Sequence, residues 1–330
     1  MVWRAGRSEH PTCLTCLTCP THPTYPTYPT YPTYSTSTTI SAVQERPPRP
    51  QRAETREVIE LRQLKAAQPE LASAVDMQIA LVDMQRRVQS RVPLPWIQVD
   101  PEWQKAQQTA GRPLVRFKDI PLEWSDFRLT FRQTADILQR FDALERPDYD
   151  RIVALGRDGN ALEPAVAAWY DATSGVEGSD PRNRAPSDAP ASLDQVLVLA
   201  LRPFLARCAE ALAQKVDLGG WNHGLCPVCG WEPDFSVITP GAERRLFCGR
   251  CVAQWAFPLL TCPFCANDDR ALITSFATRD GRYRVSACDV CRRYIKAYDA
   301  RRAQRPVMVA VDSIATLHLD AAAMQRGYVG

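Results

Sequence analysis

The stretch CPVCGWEPDF, residues 226–235, carries two cysteines separated by Pro227 and Val228 and followed directly by a glycine. A C-x-x-C of this kind serves as a metal knuckle, a thiol redox pair or half of a disulfide framework. The residues downstream narrow the choice. Three more pairs appear, Cys248/Cys251, Cys262/Cys265 and Cys288/Cys291. Eighteen residues separate the first two pairs, ten separate the second from the third, and 22 separate the third from the fourth. The short central interval divides the region into two copies of C-x2-C-x(18–22)-C-x2-C, close to the spacing of a four-cysteine ribbon. In such a ribbon one knuckle wraps two thiolates around one side of a metal. A second knuckle, carried by a β-hairpin, closes the tetrahedron at about 2.3 Å metal–sulfur distances. Thioredoxin-type chemistry wants instead a single C-x-x-C at a helix N-terminus in a βαβ setting, and the sequence offers no such pattern.

Strand-forming runs lie where ribbons need them. FSVITP (235–240) leads into RRLFC (244–248), and ALITSFAT (271–278) leads into GRYRVSAC (281–288) across the turn signal Asp280-Gly281. Gly230 permits the positive φ that turns backbone N–H groups toward sulfur. The residues at the corresponding place in the other knuckles are Val252, Ala266 and Arg292. They would adopt that conformation at about 1–2 kcal/mol each. The expected metal ligands are therefore Cys226, Cys229, Cys248 and Cys251 in one site and Cys262, Cys265, Cys288 and Cys291 in the other. Closed four-sulfur sites lack an open coordination position, so Lewis-acid catalysis is not expected of them.

The rest of the chain reads as helical. From about residue 54 to 215, ELASAVDMQIALVDMQRRVQ places Leu71, Val75, Ile79 and Val82 on one face. A second amphipathic helix runs from Pro121 through Trp124, Phe127, Phe131, Leu138 and Phe141. SLDQVLVLALRPFLARCAEALAQK opens with an N-cap at Ser192, is apolar nearly all round and should kink at Pro203. Cys208 on this helix reads as a small core residue. The segment 174–191 reads as a polar connector, and the composition shifts at LGGWNHG, residues 218–224. At the other end, residues 10–36 repeat LTC and then TYP with a three-residue period that offers neither helix nor strand periodicity. Cys13, Cys16 and Cys19 within it lack a rigid loop and are not counted as ligands. The expected organisation is a low-complexity segment over 1–50, a helical domain over 51–220 and a tandem four-cysteine domain over 221–330. The fold class is α+β: an all-helical N-terminal domain, two rubredoxin-like or zinc-ribbon-like knuckle modules and a C-terminal helix.

Bulk properties agree with a soluble protein. The 330 residues are 45% hydrophobic and 23% charged with a net charge of +3, which implies no strong field toward nucleic acid or membrane. No run approaches the roughly 18 apolar residues of a membrane span, and the cytoplasm is the expected compartment, where clustered cysteines stay reduced and usually bind metal. His10, His22, His223 and His318 are the only histidines, and no nucleophile elbow, P-loop or dinucleotide fingerprint is present. His223, three residues before Cys226, reads as a loop histidine. The sequence points to a binding module and not to an enzyme.

The order of a helical region, then CPVCG, RLFCGRCVAQW, CPFC and ACDVCRRYIK, then the tail DSIATLHLDAAAMQRGY (312–328), resembles the formate dehydrogenase accessory protein family, FdhE, over roughly residues 50–330. That resemblance implies a non-catalytic cytoplasmic assembly factor that contacts the molybdenum- or tungsten-dependent catalytic subunit of formate dehydrogenase. It also implies two mononuclear sites that hold iron, with zinc as the substitute. Trp255, Tyr294 and Lys296 fall where the family tends to carry the same types. Trp231, Leu259 and Arg292 depart from a small residue, an arginine and a glycine respectively. The residues also suggest two rival readings. The first is a zinc-ribbon nucleic-acid binder: residues 226–330 hold 14 Arg/Lys against 10 Asp/Glu, and Arg244, Arg245, Arg250, Arg292, Arg293, Arg301 and Arg302 are clustered. Two tetrathiolate sites around divalent metal carry −2 each and would cancel that excess of four, so the arginines read first as counter-charges and solvated surface. The second rival is a C-x-x-C thiol oxidoreductase.

Overall fold

The computed structural model describes residues 54–175, 190–302 and 305–330. The expectations for residues 10–36, for Cys13, Cys16 and Cys19, and for most of the 174–191 connector fall outside these. Among the described residues seven α-helices precede the cysteine region: α1 (Arg56–Ala67), α2 (Ala72–Gln89), α3 (Pro101–Ala110), α4 (Trp124–Arg140), α5 (Arg146–Arg157), α6 (Gly159–Ser174) and α7 (Ala191–Ala213). Local chemistry sets several of their ends. Asp100 accepts from the Trp103 N–H at the start of α3, and Asp158 accepts from the Asn160 and Ala161 N–H groups at the start of α6. Gly111 and Gly175 close the same two helices in the left-handed conformation.

The expected apolar stripes face the core. Val75 and Val82 of α2 are buried, while Leu71 and Ile79 pack partly buried beside them. In α4, Phe127, Phe131 and Leu138 are buried, with Trp124 and Phe141 against the cluster's edge. Two boundaries differ from expectation. Helix α4 begins at Trp124 with Glu123 at the cap, because Pro121 lies in the extended approach to the helix. Helix α7 begins one residue before the expected cap, at Ala191, with Pro190 in the cap position and no side-chain cap bond. It continues through Pro203 to Ala213, burying Phe204, Leu205, Cys208 and Leu212 on the far side of the proline.

The cysteine region builds six strands: β1 (Pro233–Ile238), β2 (Arg244–Cys248), β3 (Gln254–Ala256), β4 (Ile273–Ala277), β5 (Tyr283–Cys288) and β6 (Tyr294–Asp299). β1 with β2 and β4 with β5 are the two hairpins expected from the sequence. The two modules are not separate sheets. They join through a parallel pairing of β1 with β6, in which Phe235 faces Lys296 and Val237 faces Tyr298, giving one sheet of order β3-β2-β1-β6-β5-β4. The tail folds as two short helices, α8 (Val309–Ala315) and α9 (Leu317–Gln325), where one was expected.

Tail and sheet are tied by buried polar side chains. Asp312, fully buried, accepts hydrogen bonds from the Tyr283 hydroxyl, the Arg305 guanidinium and the Met308 N–H, each at 2.7 Å. Asp320 accepts from Lys296 Nζ at 2.6 Å and from the Tyr294 hydroxyl at 2.8 Å. The two acidic residues of the DSIATLHLD stretch are thus the acceptors that dock α8 and α9, and Tyr294 and Lys296 are among their donors. An unmade partner of a buried charged group costs about 1–3 kcal/mol or more, which keeps this set together.

The hydrophobic core runs across the composition shift at 218–224. One continuous cluster holds Phe131, Tyr170, Leu201 and Phe204 of the helices together with Cys226, Cys229, Cys248, Cys251 and Trp255. A second cluster lies between the sheet and α9, and a third packs α1 and α2 against α8. The described residues belong to one compact unit.

Candidate metal centres

The eight cysteines expected as ligands gather into two groups of four, Cys226/Cys229/Cys248/Cys251 and Cys262/Cys265/Cys288/Cys291. Within each group all sulfurs lie within 4.8 Å of one another. Contacts run between knuckles: Cys226 Sγ to Cys251 Sγ and Cys229 Sγ to Cys248 Sγ at 3.5 Å, Cys262 Sγ to Cys291 Sγ at 3.7 Å and Cys265 Sγ to Cys288 Sγ at 3.6 Å. A tetrahedron with 2.3 Å metal–sulfur bonds has edges of about 3.8 Å, whereas a disulfide needs about 2.05 Å. All eight thiols are free. The donor set and its spacing fit a tetrahedral thiophilic ion.

The backbone of each knuckle repeats one pattern. The first cysteine's N–H donates to the carbonyl five residues on: Cys226 to Trp231, Cys248 to Ala253, Cys262 to Asn267 and Cys288 to Arg293, at 2.8–2.9 Å. The residue after the second cysteine sits at positive φ in all four: Gly230 at 71°, Val252 at 55°, Ala266 at 59° and Arg292 at 57°. The N–H groups of Val228, Arg250 and Cys251 point at the Cys226 and Cys248 sulfurs at 3.3–3.4 Å. Three non-glycine residues therefore hold a conformation that disfavours a Cβ. Val252→Gly is accordingly expected to raise thermal stability by about 1 kcal/mol, since Val252 is 43% exposed and gives up little burial. Chemical denaturation midpoints would register it, and a loss of stability would contradict the strain assignment.

The first group is embedded among the helices. The carbonyls of Pro227 and Val228 accept from the N–H groups of Leu114 and Val115 at 2.9 Å, so a loop between α3 and α4 runs along the first knuckle. Arg202 of α7 donates to the Gly249 carbonyl in the second knuckle. Arg250, inside the Cys248/Cys251 pair, is fully buried. Its guanidinium donates to the Cys229 carbonyl, to Thr173 Oγ1 at 3.0 Å and to Ser174 Oγ at 2.8 Å. It also lies over the rings of Tyr170, Trp231 and Trp169 at 4.6, 4.9 and 5.4 Å. A buried cation requires compensating negative charge or π faces, and a divalent metal on four thiolates carries net −2. Of the two roles expected for these arginines, Arg250 thus takes that of counter-charge and not that of solvated surface. Trp231, the departure from a small residue, forms one wall of its box and packs at a tilt against Trp169, ring centroids 5.7 Å apart.

Burial and neighbouring groups shift six of the eight thiols. Burial pushes the Cys226 and Cys251 thiols well up. Burial acts the same way on Cys229, but hydrogen bonds from Cys226, Cys248 and Cys251 and the charge of Arg250 overturn it and bring that group down. At the second group burial raises Cys262, and raises Cys291 to about 11. Cys288 is lowered despite burial, by the N–H groups of Cys291 and Val290 and by its neighbouring thiols. Cys208, a core residue as expected, is pushed up to about 12 by burial.

The second group is more open. Cys262 and Cys288 are buried, while Cys265 and Cys291 are partly exposed. Its knuckles are held from the sheet side. Asp289 donates its N–H to the Leu272 carbonyl at 2.9 Å, and its carboxylate accepts from Thr274, Arg292 and the Tyr328 hydroxyl. Arg292, the departure from glycine, offsets its backbone strain through Asp289, the Arg326 carbonyl and a stack over Tyr328. Leu259, the third departure, is half-exposed beside the hollow that borders this group. His223 is in neither group: its ring nitrogen meets the Gln108 carbonyl at 2.9 Å, and its own carbonyl accepts from the Trp221 and Trp255 indoles. Spacing alone gave no sign of Leu114, Val115, Arg202 or the Thr173–Ser174 end of α6 as supports of the first group. Arg250 alone carried a signal, as a charged residue inside a knuckle.

Fold and site define an α+β protein with two four-cysteine centres suited to tetrahedral metal. No family model matches the chain. Curated relatives do: a "Protein FdhE homolog" from Shewanella sp. (strain MR-4) is 30% identical over 156 residues, 46% of this chain and 51% of the relative. One from Edwardsiella ictaluri (strain 93-146) is 28% identical over 142 residues, 41% of this chain and 46% of the relative. The chain spans about half the length of the curated relatives it matches. The crystal structure of the FdhE protein from Pseudomonas aeruginosa superposes with a TM-score of 0.54 at 20% identity, covering 83% of this chain and 91% of that one. The resemblance to the FdhE family is borne out by the similarity to these curated relatives over about half their length and by the fold shared with the Pseudomonas aeruginosa structure. Among the described residues, no helix is long and apolar enough to cross a membrane.

Proposed function

We propose that the chain is a non-catalytic maturation factor for formate dehydrogenase, which carries two metal-loaded four-cysteine centres and binds the catalytic subunit in the cytoplasm. The observation that carries the reading is the pair of pre-arranged four-sulfur groups on the FdhE fold. Cys226, Cys229, Cys248 and Cys251 hold one ion, and Cys262, Cys265, Cys288 and Cys291 hold the other. Bound metal supplies cross-linking of the two knuckles of each module and, if iron, a one-electron couple. A tetrahedral S4 set accepts iron or zinc alike, and the family resemblance favours iron.

The rival readings fit the side chains less well. Of the seven arginines that suggested nucleic acid, Arg244 and Arg250 are buried. Arg292, Arg293 and Arg301 pair with Asp289, Glu232 and Asp299. A thiol oxidoreductase uses the two sulfurs of one C-x-x-C as a pair, whereas here the sulfurs of two pairs gather within 4.8 Å of one another, with contacts that cross between knuckles.

Anaerobically purified protein is expected to hold two iron or zinc ions per chain by elemental analysis, with reddish charge-transfer absorption if iron. A cell lacking the chain should lose formate-dependent dye reduction and regain it when the intact chain is supplied. The formate dehydrogenase catalytic subunit should co-purify with it. Full dye reduction without the chain would end the functional reading, and a metal content near zero in folded protein would end the metal reading separately.

A further inference from the structure

We propose that the two centres differ in exchange. The first keeps its ion as a fixed part of the core, and the second takes up and gives up a thiophilic divalent cation through its Cys265–Cys291 edge. The proposal rests on the metal reading above.

All four residues of the first group are at most 1% exposed. Both of its knuckles are fastened to the helices, one by the N–H groups of Leu114 and Val115 and the other by Arg202. Arg250 ties the Cys229 carbonyl to the end of α6. An entering ligand cannot reach a sulfur there without parting the shared core of helices and sheet. The Arg250 guanidinium, fully buried and bonded to the Cys229 carbonyl, stays against the group as its counter-charge while metal is bound. Second-layer contacts of this kind raise metal retention.

The second group is fastened from the sheet side, through Asp289 and Arg292. Cys265 and Cys291 both reach the surface. Val290, in the loop between Cys288 and Cys291, is 56% exposed. Two cations border the group: Arg293 binds Glu232 through two hydrogen bonds at 2.6 and 2.8 Å and stacks on Phe264, and the buried Arg244 donates to the Thr261 carbonyl. A chelating donor can therefore approach the metal past Cys265 and Cys291. The ion leaves with the chelator, the released thiolates take protons from water, and no electron moves.

The test is release of zinc from the fully loaded wild-type chain to excess 4-(2-pyridylazo)resorcinol under native conditions. Two phases of one equivalent each are expected, the second at least about tenfold slower. Loading with cadmium-113 and correlating each resonance with cysteine β-protons assigns the phases without any substitution: the resonance lost first should couple to Cys262, Cys265, Cys288 and Cys291. As a second arm, Arg250→Met should speed only the slow phase. Release of both equivalents at one rate, or early loss of the resonance coupled to Cys226–Cys251, overturns the proposal while leaving the metal reading intact. A chain that binds no zinc overturns both.

Discussion

Replacing Cys226 and Cys229 by serine is expected to abolish cooperative unfolding of the chain and to cut bound metal to at most one ion. These two residues supply half of a centre that lies inside the same hydrophobic cluster as Phe131, Tyr170 and Phe204. A structural zinc site contributes about 10–16 kcal/mol in isolated peptides, as much as the whole net stability of an ordinary domain, about 5–15 kcal/mol. The loss also leaves Arg250 buried beside neutral thiols, and an uncompensated buried charge is itself worth several kcal/mol. Calorimetry and elemental analysis together decide the matter. A sharp transition near the wild-type temperature would show that the first centre is not part of the core. The matching substitution at the open site, Cys265→Ser, should cost much less and leave one tightly held ion.

The second large effect is expected from a single methyl group. A Cβ on Gly230 would sit 2.0 Å from the Ser174 carbonyl oxygen and 2.8 Å from its carbon, both main-chain atoms at the end of α6. The residue also holds φ at 71°. Neither a rotamer change nor a small shift relieves a contact with backbone, so Gly230→Ala should destabilise by about 3–5 kcal/mol and loosen the first ion. The comparison with Val252→Gly isolates the cause. Both positions share one backbone conformation, but only at Gly230 does a helix end press on the knuckle. Gly230→Ala protein with unchanged melting temperature and two retained ions would refute this packing account.

Cysteine spacing made the two sites legible because metal geometry dictates sequence intervals, and each hairpin carried its own strand and turn signals. The four positive-φ positions could be marked in advance for the same reason, since each comes directly after the second cysteine of its pair. Other features lay beyond sequence reading because they join residues far apart in the chain. Nothing local in FSVI or YIKAY says that they pair in parallel, and nothing in Pro113–Val115 announces a bond to Pro227 and Val228. Arg250 was one of seven arginines read as counter-charges or solvated surface, and only the aromatic box assembled from α6 and Trp231 singles it out as the buried one beside the first group. Helix ends were misplaced by one to three residues at Pro121 and Ser192, where proline supplied the boundary but not through the expected cap.

The parallel pairing of β1 with β6 has a consequence for synthesis on the ribosome. β1 and β2 can form their hairpin and gather the first four cysteines while the rest of the chain is still being made. Until β6 emerges, however, the Phe235–Ile238 edge of β1 has no neighbour on that side. An apolar, unpaired edge of this kind recruits other strands, and pairings between distant segments are slow to close. The nascent chain therefore passes through a stage at which the first four cysteines are all made and the sheet is half open. Any delay in supplying the second module, through pausing or truncation before residue 294, would expose a sticky edge beside a finished metal knuckle. Truncated chains should accordingly associate with one another through β1, and the arrival of β6 is the event that makes the protein safe from its own copies.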